Sequence, residues 1–113
     1  MTNSGAMHKS IPANVKREVE HIVEQFNREH LAKQNRAYSA RFCGRYLYID
    51  RDDGVGASPI CRLEFWGTID DWGFAIYKYS SNSYDQNEHR FPGDELFDGT
   101  VQGAMHAGLH AYP

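Results

Sequence analysis

The chain has 113 residues, 41% hydrophobic and 24% charged, with a formal net charge of −3. That length makes one domain with enough interior to fold without staples, and the charge balance does not mark a nucleic-acid or membrane binder. Two cysteines, Cys43 and Cys61, are too few for a disulfide framework and are not spaced as zinc ligands.

Residues 1–9 are small and polar and read as a disordered N-terminal segment; residues 10–113 read as a single α+β domain. The start, Met1-Thr2-Asn3-Ser4-Gly5, lacks the apolar stretch of a signal peptide. No apolar run approaches the roughly 20 residues of a membrane span. The expectation is a cytoplasmic protein with reduced thiols. Charge is unevenly spread. Residues 1–49 hold eight Lys/Arg and four Glu, giving +4, and residues 50–113 hold four Lys/Arg and eleven Asp/Glu, giving −7. Such an asymmetry can draw together two parts of a chain or two copies of it.

The first element is a helix. Ser10 can cap it and Pro12 is tolerated in a first turn. Val15, Val19, Ile22, Val23 and Phe26 then recur at helical spacing as one stripe, and the pattern runs to about Asn35. Glu24–Arg28 and Glu29–Lys33 are favourably ordered i,i+4 pairs.

Alternation over Tyr38 to Asp50 predicts one long strand, with Phe42, Tyr46 and Tyr48 on one side and Arg41, Cys43, Arg45, Leu47 and Ile49 on the other. Asp52-Asp53-Gly54 reads as a hairpin turn. A second strand follows from about Ser58 to Trp66 and a third from Trp72 to Tyr79. Separating charge from apolar side chains puts Phe42, Tyr46, Tyr48, Cys61, Leu63, Phe65, Phe74 and Ile76 inside. Residues 80–98 read as a long polar loop, and Thr100 to Ala111 as a helix whose Gly108 implies close approach to the sheet. The predicted fold is therefore α-β-β-β-α, a three-stranded antiparallel sheet with both helices packed on one face.

That fold leaves one sheet face open, carrying Arg41, Arg45, Arg62, Glu64, Trp66, Tyr77 and Tyr79. Arginine with tryptophan and tyrosine is the composition of protein interfaces and of base-stacking platforms. Arg45 would lie near Arg62, with Glu64 as the local counter-ion and a partner carboxylate or bound anion as the alternative.

The chemical candidates are sparse. His106 and His110, four apart on a helix, can share a metal if His89 or Asp85 supplies a third ligand; two solvated histidines are the simpler reading. Asp50-Arg51-Asp52-Asp53-Gly54 lacks the ligand spacing of a calcium loop. Cys43 has Arg41 and Arg45 beside it, which favours a thiolate, but no neighbouring histidine serves as a base.

Ile60-Cys61-Arg62-Leu63, Trp72, Phe74-Ala75-Ile76-Tyr77-Lys78-Tyr79, Phe91-Pro92-Gly93, Asp98-Gly99-Thr100-Val101-Gln102-Gly103-Ala104-Met105, Ala107-Gly108-Leu109 and Ala111-Tyr112-Pro113 carry a resemblance. Over about residues 41–113 the chain resembles a family of short uncharacterised bacterial proteins. The resemblance implies a bacterial, single-domain, intracellular protein and transfers no site. The predicted element order is also that of the double-stranded RNA-binding domain, by analogy of order alone. Such domains carry a basic cluster where this chain has Asp98-Gly99-Thr100-Val101, and that departure argues against RNA.

The leading expectation is a binding module without catalysis or cofactor that self-associates as a homodimer through the aromatic and arginine face. The alternative is a nucleic-acid-binding module using the same face. The third is a metal-dependent enzyme built on His89, His106 and His110.

Overall fold

The computed structural model describes residues 10–88 and 90–113. The expectation of disorder at residues 1–9 lies outside the described residues.

Helix α1, Ala13–Phe26, buries Val19, Val23 and Phe26 and packs Val15 and Ile22 partly, as the periodic stripe predicts. Pro12, not Ser10, precedes its first residue, and no side chain caps it. Glu24 and Arg28 pair at 3.6 Å, both well exposed, while Glu29 accepts from Gln25 at 2.6 Å. Beyond Phe26 the helix changes form. Asn27–Leu31 is a π turn, Ala32–Gln34 a 3-10 turn, and Asn35 ends the run in the left-handed region at φ 59°. Asparagine suits that end because its short polar side chain tolerates the conformation.

Among the described residues the sheet has five antiparallel strands in sequence order: β1 Ala37–Cys43, β2 Tyr46–Asp52, β3 Ala57–Thr68, β4 Asp71–Lys78 and β5 Ser83–Asp85. The three-strand expectation undercounts for two reasons. The stretch read as one strand is a hairpin, because Gly44, at φ 60°, opens a two-residue turn through Arg45. Glycine at the first position of such a turn is its usual signature. Then Ser83–Asp85, read as loop, pairs with Ile76–Lys78.

The hairpin also corrects the register. Across a two-residue turn the flanking residues, Cys43 and Tyr46, lie opposite each other and share a face. Side-chain parity therefore flips relative to a continuous strand. Leu47 and Ile49 are fully buried and Arg51 nearly so, whereas Tyr46 and Tyr48 point to the other side. Placing Tyr46 and Tyr48 in the core and Leu47 and Ile49 outside was wrong. For β3 and β4 the predicted parity holds: Cys61, Leu63 and Ile76 are buried, and Phe65 and Phe74 pack partly at the margin. A register shift between Ile49 and Asp50 lets both Ile60 and Cys61 be buried. Burial pushes the Cys61 thiol pKa up, so this thiol is a packing group. The Asp52–Gly56 turn is a hairpin connection, with Asp52 Oδ1 accepting from the Gly54 amide at 2.7 Å and the Gly56 amide at 3.2 Å.

Helix α2, Val101–Ala111, is capped by Thr100, whose Oγ1 accepts from the Gly103 amide at 2.9 Å and donates to Asp98 Oδ1 at 2.6 Å. A Cβ at Gly103 would collide with that Asp98 carboxylate. Gly108 makes the predicted close approach: a Cβ there would come 2.7 Å from both Ile60 Cγ2 and Tyr38 Oη. The Tyr38 hydroxyl donates to the Met105 carbonyl at 2.7 Å. Arg51 donates to the Tyr112 carbonyl at the end of α2 and to Asp53 at 2.8 Å. A cation there suits the negative end of a helix. With five strands between the helices, the element order departs from that of the double-stranded RNA-binding domain.

Candidate binding surface

Strand alternation gathers one polar, aromatic face. Arg41 lies opposite Tyr48, Tyr48 opposite Arg62, Tyr46 opposite Glu64, and Tyr77 opposite Tyr84. The rings and guanidinium groups interleave. Arg41 lies 4.9 Å from the Tyr48 ring centre, and Arg62 lies 4.5 Å from Tyr46 and 5.5 Å from Tyr84. Tyr84 meets Tyr48 at 5.4 Å and Tyr77 at 5.0 Å, both edge-on. Each cation–ring contact contributes on the order of 0.5–1 kcal/mol at such partly exposed sites.

The charges are mostly matched. Arg41 grips Asp50 at 2.5 Å, and Arg45, in the turn, pairs with Glu64 at 2.9 Å and lies 5.4 Å from the Tyr46 ring. Glu64 thus supplies the counter-ion that the sequence called for beside Arg45. Arg62 differs: among the described residues no carboxylate pairs with it, and two rings hold its guanidinium.

Of the residues expected on this face, Arg41, Arg45, Arg62, Glu64, Trp66 and Tyr77 come together. Tyr77 is nearly buried, and its hydroxyl donates to Asn82. Tyr79 lies past the end of β4 but joins them through Tyr77, whose ring it meets edge-on at 4.8 Å; it also meets Tyr112 at 5.4 Å, and its hydroxyl donates to the Pro59 carbonyl at 2.7 Å. Sequence reasoning missed Tyr46, Tyr48 and Tyr84. Gly44 was the signal for the first two; a three-residue strand left little signal for the third.

Trp66 is 59% exposed and spreads its indole over Gly73 on the neighbouring strand, where a Cβ would sit 2.6 Å from Trp66 Cζ2. Beside it, at the edge of β4, a cleft of about 710 Å³ opens between the sheet and the segment carrying Phe91, Asp94 and Glu95. Phe74 lies 5.6 Å from Phe91, near parallel, and 4.8 Å from Phe97. These contacts leave Phe74 only partly buried, short of the near-complete burial its parity suggests.

The two described histidine candidates turn to different neighbours. His106 turns to the helix–helix contact, with its ring 4.8 Å from Phe26 and 5.1 Å from His30. It is half-buried there, not solvated as expected. His110 lies by the Gly93 turn, and His89 lies outside the described residues. Among the described residues no three His, Cys, Asp or Glu side chains are grouped to hold a metal. Cys43 is exposed beside the hairpin turn, with Tyr46 opposite it. Among the described residues no helix is long and apolar enough to cross a membrane.

No family model, curated protein or solved structure matches the chain.

Proposed function

We propose that the protein is a non-catalytic binding module that self-associates, with the arginine–tyrosine face as the contact between two copies. The reading takes both helices to cover the opposite face, where their buried residues join one cluster with Leu47, Ile49 and Leu63. The observation that carries it is Arg62, held between Tyr46 and Tyr84 without a carboxylate among the described residues. Arginine, tyrosine and tryptophan dominate the energetics of protein contacts. A patch that alternates guanidinium groups and rings is complementary to itself, which is what a two-fold interface requires.

Nucleic-acid binding is the weaker reading, because Asp50 and Glu64 already neutralise Arg41 and Arg45. Sedimentation at micromolar concentration tests the choice. The wild type should sediment as a dimer. Arg62→Ala and Tyr48→Ala should shift it toward monomer, with circular dichroism reporting that each variant remains folded. A wild-type monomer retires the self-association reading. Retention of an oligonucleotide with steep loss of affinity in salt would replace it with the second.

A further inference from the structure

The two edges of the sheet are finished differently. On β1, the Asn27 side chain donates to the Tyr38 carbonyl at 2.9 Å and accepts from the Tyr38 amide at 2.8 Å, filling the place of a missing strand. On β4, the outer edge is covered by β5 only from Ile76 to Lys78. Further back along β4 the Trp72 amide donates to the Gly99 carbonyl at 2.9 Å. In an antiparallel sheet every second residue turns its amide and carbonyl to the same side. Trp72 and Ile76 face outward, so Phe74 between them does too. Among the described residues no backbone group outside the sheet bonds to Phe74, and β5 has ended before reaching it. That bare stretch of edge lines the cleft beside Trp66 and Phe91.

The cleft walls have a definite charge. Glu64 and Glu88 are engaged, with Arg45 and with Lys78 respectively. Asp71, Asp94 and Glu95 pair with no cation among the described residues, and Arg62 is the one basic side chain in the walls. Exposed main-chain donors and acceptors, aromatic walls and surplus carboxylates are the complement of one kind of occupant.

We infer that the cleft binds an extended basic polypeptide segment, which adds as a strand to β4 at Phe74. Main-chain bonds to Phe74 would hold the segment. Its lysine or arginine side chains face Asp71, Asp94 and Glu95, and their stems lie on Trp66 and Phe91. The inference does not rest on self-association, although the cleft shares Tyr46, Arg62, Glu64 and Trp66 with the arginine–tyrosine face; it stands on the bare edge at Phe74 and the surplus carboxylates.

The probes are three short acetylated, amidated peptides: one alternating valine and arginine, the same peptide with alternate backbone amides methylated, and one alternating valine and glutamate. Binding is read from tryptophan emission (Trp66 and Trp72 both line the cleft) and from the Phe74 amide in nuclear magnetic resonance spectra of the full chain. The arginine peptide should bind, shift the Phe74 amide and slow its exchange with solvent. The methylated and glutamate peptides should bind at least tenfold more weakly. Asp94→Lys with Glu95→Lys should weaken the arginine peptide by about tenfold, as loss of rim charge complementarity does. The spectrum of that variant, outside the cleft, reports that it remains folded. Equal binding of the methylated peptide overturns strand addition. Equal binding of the glutamate peptide overturns the charge argument. No binding at millimolar peptide, or a Phe74 amide that stays unmoved, overturns the inference as a whole. Sedimentation of the same samples reads self-association separately, so a failure of either proposal is visible without the other.

Discussion

The carboxamide of Asn27 makes two hydrogen bonds to the backbone of Tyr38, giving and accepting as a neighbouring strand would. Asn27 is the first residue of the π turn, and the local widening of the helix sets this side chain beside β1. π turns occur mostly where a helix has to place one group, and here the placement closes a sheet edge. An open edge is a template for unwanted pairing.

Replacing Asn27 with Ala removes both bonds and leaves the Tyr38 amide and carbonyl to find other partners. The expected loss is about 1–3 kcal/mol of unfolding free energy. Asn27→Asp keeps the acceptor for the Tyr38 amide but sets a carboxylate oxygen against the Tyr38 carbonyl, so it too should destabilise. Urea titration measures both. An Asn27→Ala variant as stable as the wild type would mean that water replaces the carboxamide without cost.

The flipped parity of β2 makes a direct comparison available. Leu47 is fully buried, so Leu47→Ala should cost about 2–5 kcal/mol. Tyr48 is partly exposed on the other face, and Tyr48→Ala should cost well under half as much. The reverse order in denaturant midpoints would restore the continuous-strand register.

Gly108 faces two opposing effects. Alanine is favoured over glycine inside a helix by roughly 1 kcal/mol. A Cβ at this position would lie 2.7 Å from Ile60 Cγ2 and from the Tyr38 hydroxyl, and overpacking of this kind costs about 1–3 kcal/mol. Tyr38 is buried and bonded to Met105, and Ile60 is held by the sheet, so neither yields freely. Gly108→Ala should therefore destabilise, with thermal unfolding as the readout. A raised midpoint would show that α2 can lift from the sheet.

His106 makes stability depend on pH. Burial, reinforced by His30 and His110, lowers its pKa from the ordinary 6.5, and Asp98 opposes the shift. Below about 6.5 the unfolded chain takes up a proton that the folded chain resists, so the unfolded state binds more protons there. Stability contributed by neutral His106 is present above that pH and is lost as pH falls through the lowered folded value. His106→Gln should flatten the fall in urea midpoint between roughly pH 7.5 and 5. Parallel profiles for wild type and variant would remove His106 as the source.

The sequence by itself determined the local elements. The stripe Val15–Phe26 dictated α1, the alternation in 58–79 dictated β3 and β4 with their faces, and Gly108 announced close packing of α2 on its neighbours. Those signals are periodic and act over one or two turns, so they survive without knowledge of partners. The tertiary structure decided which half of the alternation in β2 faces inward. A turn of two residues inverts that parity, and Gly44 alone marked it. Until the hairpin is placed, Tyr46 and Tyr48 compete with Leu47 and Ile49 for the same side. The surface assembled from Arg41, Tyr48, Arg62 and Tyr84 draws on four of the five strands, and no spacing along the chain encodes a neighbour across a sheet. The bare edge at Phe74 exists because β5 stops at Asp85, and where a strand stops is settled by pairing, which the strand does not carry in its own sequence.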